Sequence, residues 1–280
     1  MSAYISRHKK PLTGFAKASV ALGATWVAGF VDATGWMLLS HIYTSNMTGN
    51  TIQVSLHWAD RTWSGVLQRG WPIAMFVAGL ALAGIATEAC VRRGLNSFSA
   101  INLGTEAVLI GCFIPFAAPA LHNGEIQGTS FWYFNFLVAL LALAMGIQNQ
   151  TVTKIGPLSF RTTHVTGMLS HLGTDVAEYF FWAYDRLRSK TSSPAAFVRD
   201  SLHRTEFRGL SLHAGLWTSF AAGSIAAVYS HRRWGVSGLA APVSLLVVMV
   251  IIDLIRPIAA SAEAQQLRKE STDSRTPSAA

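Results

Sequence analysis

Six long apolar windows limit what this chain can become more than any other feature. They lie at about Ser19–Leu39, Trp71–Val91, Ser99–Ala118, Ser130–Ile147, Leu210–Ser230 and Val236–Ile255. Each is close to the ~20 residues with which a helix crosses a ~30 Å hydrocarbon core. A soluble domain hides one or two such segments in its interior, so six in series predict an all-α polytopic membrane protein whose first partner is the lipid bilayer. Charged residues are 13% of the 280, about half the share usual in soluble chains, and they gather between the windows.

The first window follows the basic stretch "SRHKKPLTGFAK" and so imitates a signal peptide. No small-residue cleavage site follows a short apolar core, and the run continues past Asp32 to Leu39, so an uncleaved first span is expected. The two cysteines, Cys90 and Cys112, both fall inside apolar windows and give neither a disulfide framework nor metal-ligand spacing.

A net charge of +8 would suggest nucleic acid in a soluble chain. Here the cations flank the windows, which is the pattern that orients a protein in a membrane and argues against a nucleic-acid partner. With six crossings and a cytoplasmic N-terminus, 18 Lys and Arg fall inside and four fall outside: Arg61, Arg69, Arg232 and Arg233. The sequence therefore predicts the bacterial inner membrane, with both termini cytoplasmic.

The chain also repeats itself, a signal to be sought early in any sequence. "GFVDATG" lies over "GIQNQTV", which sets Asp32 over Asn149 at an offset of 117. "SNMTGN" lies over "THVTGM", which sets Thr48–Gly49 over Thr166–Gly167 at an offset of 118. The division that follows is a basic N-terminal tail (1–18), a first membrane repeat (19–118) and an external linker (119–129). A second repeat (130–259) carries a cytoplasmic insertion at about 185–208, and a polar tail (260–280) has the composition of a disordered segment. Three crossings per half would make the halves inverted, as in many secondary transporters. If both Thr-Gly segments crossed as well, there would be eight spans and parallel halves, with 16 cations inside and six outside. Six crossings fit the charges better.

"TSNMTGNTIQVS" and "RTTHVTGMLSHLG" are hydroxyl-rich, small-residue stretches beside membrane-length helices. A helix that starts inside a bilayer strands N–H groups, each costing several kcal/mol unless protein or water satisfies it. Ser, Thr and Asn supply local partners, and Gly permits turns and close helix approach. Two short broken or re-entrant helices are therefore expected, with Asn46, Thr48, Gly49 and Asn50 in the first and Thr163, Thr166 and Gly167 in the second. Free N–H groups at such helix starts favour anions. The same segments also serve as plain packing surfaces.

Asp32 lies well inside the first span, where a charge costs at least ~2.5 kcal/mol. It must have a partner, either as a coupling or substrate-binding carboxylate or as a cap for the neighbouring broken helix. Gln148 and Asn149 are its polar counterparts in the second half, and Arg161 is placed to anchor the second broken helix. Glu106 also falls within a window. Glu88 is spaced to pair with Arg92 on a helix. His171 and Asp175 sit one turn apart, too few ligands by themselves for a metal site. No nucleophile elbow, phosphate loop or zinc helix is present, and neither an enzyme nor a cofactor is expected. Trp26, Trp36, Trp58, Trp63 and Trp71 suit an interfacial belt.

In "AGFVDATGW", "TSNMTGNT" and "AMGIQNQTVTKIG…FRTTHVTGMLSHLG" the chain resembles the YoaK-like family of bacterial membrane proteins, a domain of unknown function (1275). The resemblance covers about Ala18 to Arg256 and implies an integral inner-membrane protein with about six spans. The insertion before Arg208 departs from more compact members. The functional expectation is a small secondary transporter or permease of a small polar or anionic metabolite. Its site would lie at the midplane between the two Thr-Gly helices, with Asp32 facing Asn149. The alternative is a membrane scaffold or partner subunit that transports nothing.

Overall fold

The computed structural model describes residues 14–93, 95, 97–122, 124–153, 163, 165–188, 197, 199–201 and 204–258. Nearly all of them are helical. The helices are α1 (Gly14–Leu38), α2 (Met47–Ala59), α3 (Trp63–Arg92) and α4 (Phe98–Ala117) in the first half. α5 (Phe131–Val152), α6 (Val165–Arg188), α7 (Thr205–Trp234) and α8 (Ala240–Ile255) follow in the second. The linker between halves holds a two-stranded antiparallel hairpin, Leu121–His122 against Glu125–Ile126. Gly124, at φ +87°, lies in the connection between the strands, a conformation that favours glycine.

The six apolar windows correspond to α1, α3, α4, α5, α7 and α8. Among the described residues, four stretches are long and apolar enough to cross a membrane: Trp63–Arg92, Phe98–Ala120, Phe131–Val152 and Phe207–Ile255. The last of these contains both α7 and α8, which are separated by a short 3₁₀ segment, Gly235–Leu239. Gly235 ends α7 at φ +56°, a conformation that glycine adopts without steric cost. α1 is not among these four, and it is enclosed by protein along much of its length. Ala24, Val27, Ala28 and Val31 are completely buried against protein, and a helix enclosed by other helices needs small residues for close packing more than it needs lipid-like ones.

α1 packs along α7, and α3 packs along α5. Both pairs approach closely through glycine, and in the same reciprocal way. A Cβ added at Gly29 of α1 would collide with the carbonyl oxygen of Phe220, and one at Gly223 of α7 with that of Trp26. In the other pair a Cβ at Gly146 of α5 would meet the carbonyl of Phe76, and one at Gly79 of α3 that of Leu143. Gly29 and Gly146 are 117 residues apart, the offset that superposes Asp32 on Asn149. Hydroxyls reinforce the first crossing: Ser219 donates to Leu22 O at 2.7 Å and Ser224 to Gly29 O at 3.1 Å. α4 and α8 pack on each other, α4 also on α5 and α8 also on α1, while α2 flanks α3 and α6 flanks α7. Apolar side chains such as Val77, Leu82, Ile85, Val108, Val248 and Ile251 point outward, as lipid-facing positions require.

One expectation needs revision. α2 has 13 residues and fits a short element, about 20 Å long. Its counterpart α6 has 24 and is not short. The second Thr-Gly segment opens a long amphipathic helix because Val165 through Arg188 contain no breaker after Gly173 and keep an apolar face. The N-terminal residues 1–13, Arg161, residues 189–196, 198, 202 and 203 of the insertion and the tail at 260–280 lie outside the described residues.

Candidate functional site

The C-terminal end of α1 builds one polar cluster. Ser40 and His41 adopt left-handed backbone angles, φ 49° and 60°, and turn the chain back so that Thr44 and Ser45 lie beside Asp32. Asp32 Oδ1 then accepts three hydrogen bonds: from Thr44 N–H at 2.9 Å, Ser45 N–H at 2.8 Å and the Thr44 hydroxyl at 3.1 Å. Gly35 leaves room for this approach, since a Cβ there would strike Thr44 Cγ2. Asn46, exposed, caps α2 by accepting from Gly49 N–H at 3.1 Å. Asn50, fully buried, donates to Tyr43 O at 2.7 Å and accepts from Tyr43 N–H at 3.3 Å. Thr48 is exposed and Gly49 half-buried. Arg69, which sequence reasoning assigned only to a loop count, donates to Ser40 O at 2.9 Å and ties the turn to α3.

A second cluster forms where α5 ends. The buried Gln148 donates through Nε2 to Ala24 O of α1 at 2.6 Å. Asn149 donates to the Thr163 hydroxyl at 2.6 Å. Gln150 lies beside Gly84 of α3. Thr166 is exposed and Gly167 half-buried in the first turn of α6.

The two clusters are distinct. Gln148 meets α1 at Ala24, eight residues before Asp32, a separation of about 12 Å along the helix. The structure therefore gathers Asp32 with Thr44, Ser45 and the start of α2, and gathers Asn149 with Thr163, but it does not bring Asp32 and Asn149 face to face. Each cluster joins the end of a repeat's first helix to the start of its second. For Asp32 this is the capping geometry, set at the turn before α2 rather than at Thr48.

Sequence reasoning missed two polar contacts. Asp253, wholly buried near the end of α8, accepts from Ala100 N–H at 2.8 Å and Ile258 N–H at 2.7 Å, so it caps the start of α4 across the bundle. Its signal was the acid in "IIDLIRP", an apolar run with one charge. His213 of α7 sits 2.7 Å from the Asp175 carboxylate and stacks on His171, ring centroids 5.1 Å apart. The spacing of His171 and Asp175 was visible in the sequence; the third member needed the α6–α7 packing. Glu88 and Arg92 form the expected pair at 2.8 Å.

A family model described as a protein of unknown function, DUF1275, matches residues 20–252, most of the chain. The chain belongs to this family. The UPF0700 transmembrane protein YoaK of Bacillus subtilis (strain 168) is 28% identical over 179 residues, which is 63% of this chain and 71% of that protein. No solved structure matches the chain. The match spans both Thr-Gly segments and nearly all of the six apolar windows, and agrees with an integral membrane protein; neither name carries a substrate.

Proposed function

We propose that this DUF1275 protein is a small secondary transporter or permease of a small polar or anionic metabolite. It crosses the bacterial inner membrane six times, with both termini cytoplasmic, and its two halves are inverted repeats. The observation that carries the proposal is the reciprocal pair of glycine crossings, α1 with α7 and α3 with α5, because each half lends its third helix to the first helix of the other. In inverted-repeat transporters alternating access is largely one half rocking against the other, and at these two crossings the halves of this chain meet. Each half also carries a polar cluster at the end of its first helix. If the halves are inverted, one cluster lies toward each membrane face and the substrate passes between them, with Asp32, Thr44 and Asn50 toward the outside and Gln148, Asn149 and Thr163 toward the inside.

One observation favours the scaffold reading instead. The hydrogen bonds of Asp32 and Asn50 go to their own turn, as they would in a protein that only seals a broken helix. Efflux separates the two. Proteoliposomes are loaded with a defined mixture of amino acids, short dicarboxylates and inorganic phosphate, and the external medium is followed by mass spectrometry. A transporter releases at least one solute faster than empty liposomes do, and a folded Asp32→Asn variant alters that rate. Release no faster than from empty liposomes for every solute in the mixture contradicts transport of these classes.

A further inference from the structure

Three acidic side chains lie within the apolar windows and are almost wholly buried: Asp32, Glu106 and Asp253. Two of them spend their oxygens on backbone N–H groups of a neighbouring segment. Glu106 does not. It sits mid-way along α4 with no exposed surface, and neither Oε1 nor Oε2 has a hydrogen-bond partner among the described residues. One turn earlier the buried Asn102 donates to the Thr87 hydroxyl at 3.0 Å and to Ala83 O at 3.5 Å, which turns this side of α4 toward α3. Ser99, a further turn back, is buried with an unpartnered hydroxyl. Residues at this spacing share one helix face, so Ser99, Asn102 and Glu106 form a polar stripe on an otherwise apolar helix. α3 and α4 are consecutive and antiparallel, so the register set by Asn102 brings Glu106 level with the Gly79–Ala83 turn, where α3 crosses α5.

Two carboxyl oxygens without a donor in such an interior demand a cation. A hard metal ion takes about six oxygen ligands, and the helices around α4 do not bring charged groups to this level. α5 carries no acid or base, only Tyr133 near its outer end. α8 carries Asp253, committed to Ala100, about 9 Å away along α4. α3 carries Glu88 paired with Arg92 near one end and Arg69 bound to Ser40 O near the other. The short segment Gly235–Leu239 carries none. A proton is the cation that needs no further ligand.

We infer that Glu106 is a proton-binding site within the bundle, a carboxyl that exchanges its proton with water, and that it rather than Asp32 is the coupling group. Proton binding stands on the geometry of α4; its use in coupling rests on the transport reading above. The test uses the full-length protein in liposomes, moved from H₂O to D₂O buffer and followed by infrared spectroscopy beside Glu106→Gln. The expected result is a protonated-carboxyl C=O band that shifts down in D₂O and is lost in Glu106→Gln. A band that never shifts marks a sealed acid, and no band difference between the two proteins marks an acid without a proton; either overturns the inference.

A second measurement on the wild type keeps the test decisive if the variant does not fold. The acid's O–H proton passes to one nitrogen of N,N′-dicyclohexylcarbodiimide while the carboxyl oxygen adds to its central carbon. Acyl migration to nitrogen then leaves a stable N-acylurea, a one-to-one adduct from which nothing departs. Peptide mapping is expected to find it on the α4 peptide. An adduct confined to the Asp32 or Asp253 peptide, or none at all, overturns the assignment. Neither readout needs a transported solute, so a failed efflux screen leaves the answer on Glu106 intact.

Discussion

Gly146→Ala and Gly29→Ala are each expected to destabilise the folded protein by about 2–3 kcal/mol, the cost of forcing a methyl into a tight contact. At both positions the obstacle is a backbone carbonyl, Phe76 O or Phe220 O. A side chain can rotate away, but a carbonyl inside a helix moves only if the helix does. The two helices must separate, and the Ser219 and Ser224 hydrogen bonds across the α1–α7 crossing would lengthen with them. The measurement is thermal unfolding in detergent, followed by size-exclusion fluorescence. Gly111→Ala on α4 is the control, since an added Cβ there meets nothing within 4 Å; it is expected to be neutral or to gain up to about 1 kcal/mol from lost chain entropy. Because Gly146 and Gly79 share one crossing, Gly79→Ala combined with Gly146→Ala should cost less than the sum of the two. Equal losses at Gly29 and Gly146 would follow from their matching positions in the two halves.

Asp32→Ala is expected to cost about 2–5 kcal/mol and Asp32→Asn about 1 kcal/mol, judged from the worth of charge-assisted bonds and the cost of orphaned donors. Removing the carboxyl strands the Thr44 and Ser45 N–H groups in a buried turn. The Asn carbonyl oxygen occupies nearly the same place and accepts the same bonds, without charge assistance. The order Ala much worse than Asn is the signature of a cap. If Asn and Ala were equally damaging, the negative charge itself would be what the fold requires. Unfolding midpoints of the three proteins in one detergent decide the matter.

Much of the fold was legible because a bilayer restricts the choices. Only helices satisfy their own backbone there, so six apolar windows gave six helices, and the Thr-Gly repeat marked the start of α2 to within a residue or two. The pairing of halves was also half-visible: "GF" at Gly29 and "GI" at Gly146 aligned, but their partners Gly223 and Gly79 sit in stretches with no shared motif. The length of α6 was not legible, because a Thr-Gly start says nothing about where a helix ends. The separation of Asp32 from Asn149 was not legible, because residues aligned by an internal match need not lie opposite each other: Gln148 reaches α1 at Ala24, eight residues before Asp32. Glu106 could be seen as an acid in a window, yet its lack of partners depends on which helices surround it, and no local pattern carries that.

The claim beneath the transport reading is that the two halves enter the membrane from opposite sides. Single cysteines at His41→Cys, just after α1, and Thr153→Cys, just after α5, in a background with Cys90 and Cys112 replaced by Ala, test it most directly. Intact spheroplasts are treated with a membrane-impermeant maleimide. The account predicts labelling of the cysteine at 41 from outside, and labelling of the one at 153 only after the membrane is opened. Labelling of both from outside would mean that the Thr-Gly helices cross, that the halves are parallel, and that the inverted arrangement is wrong.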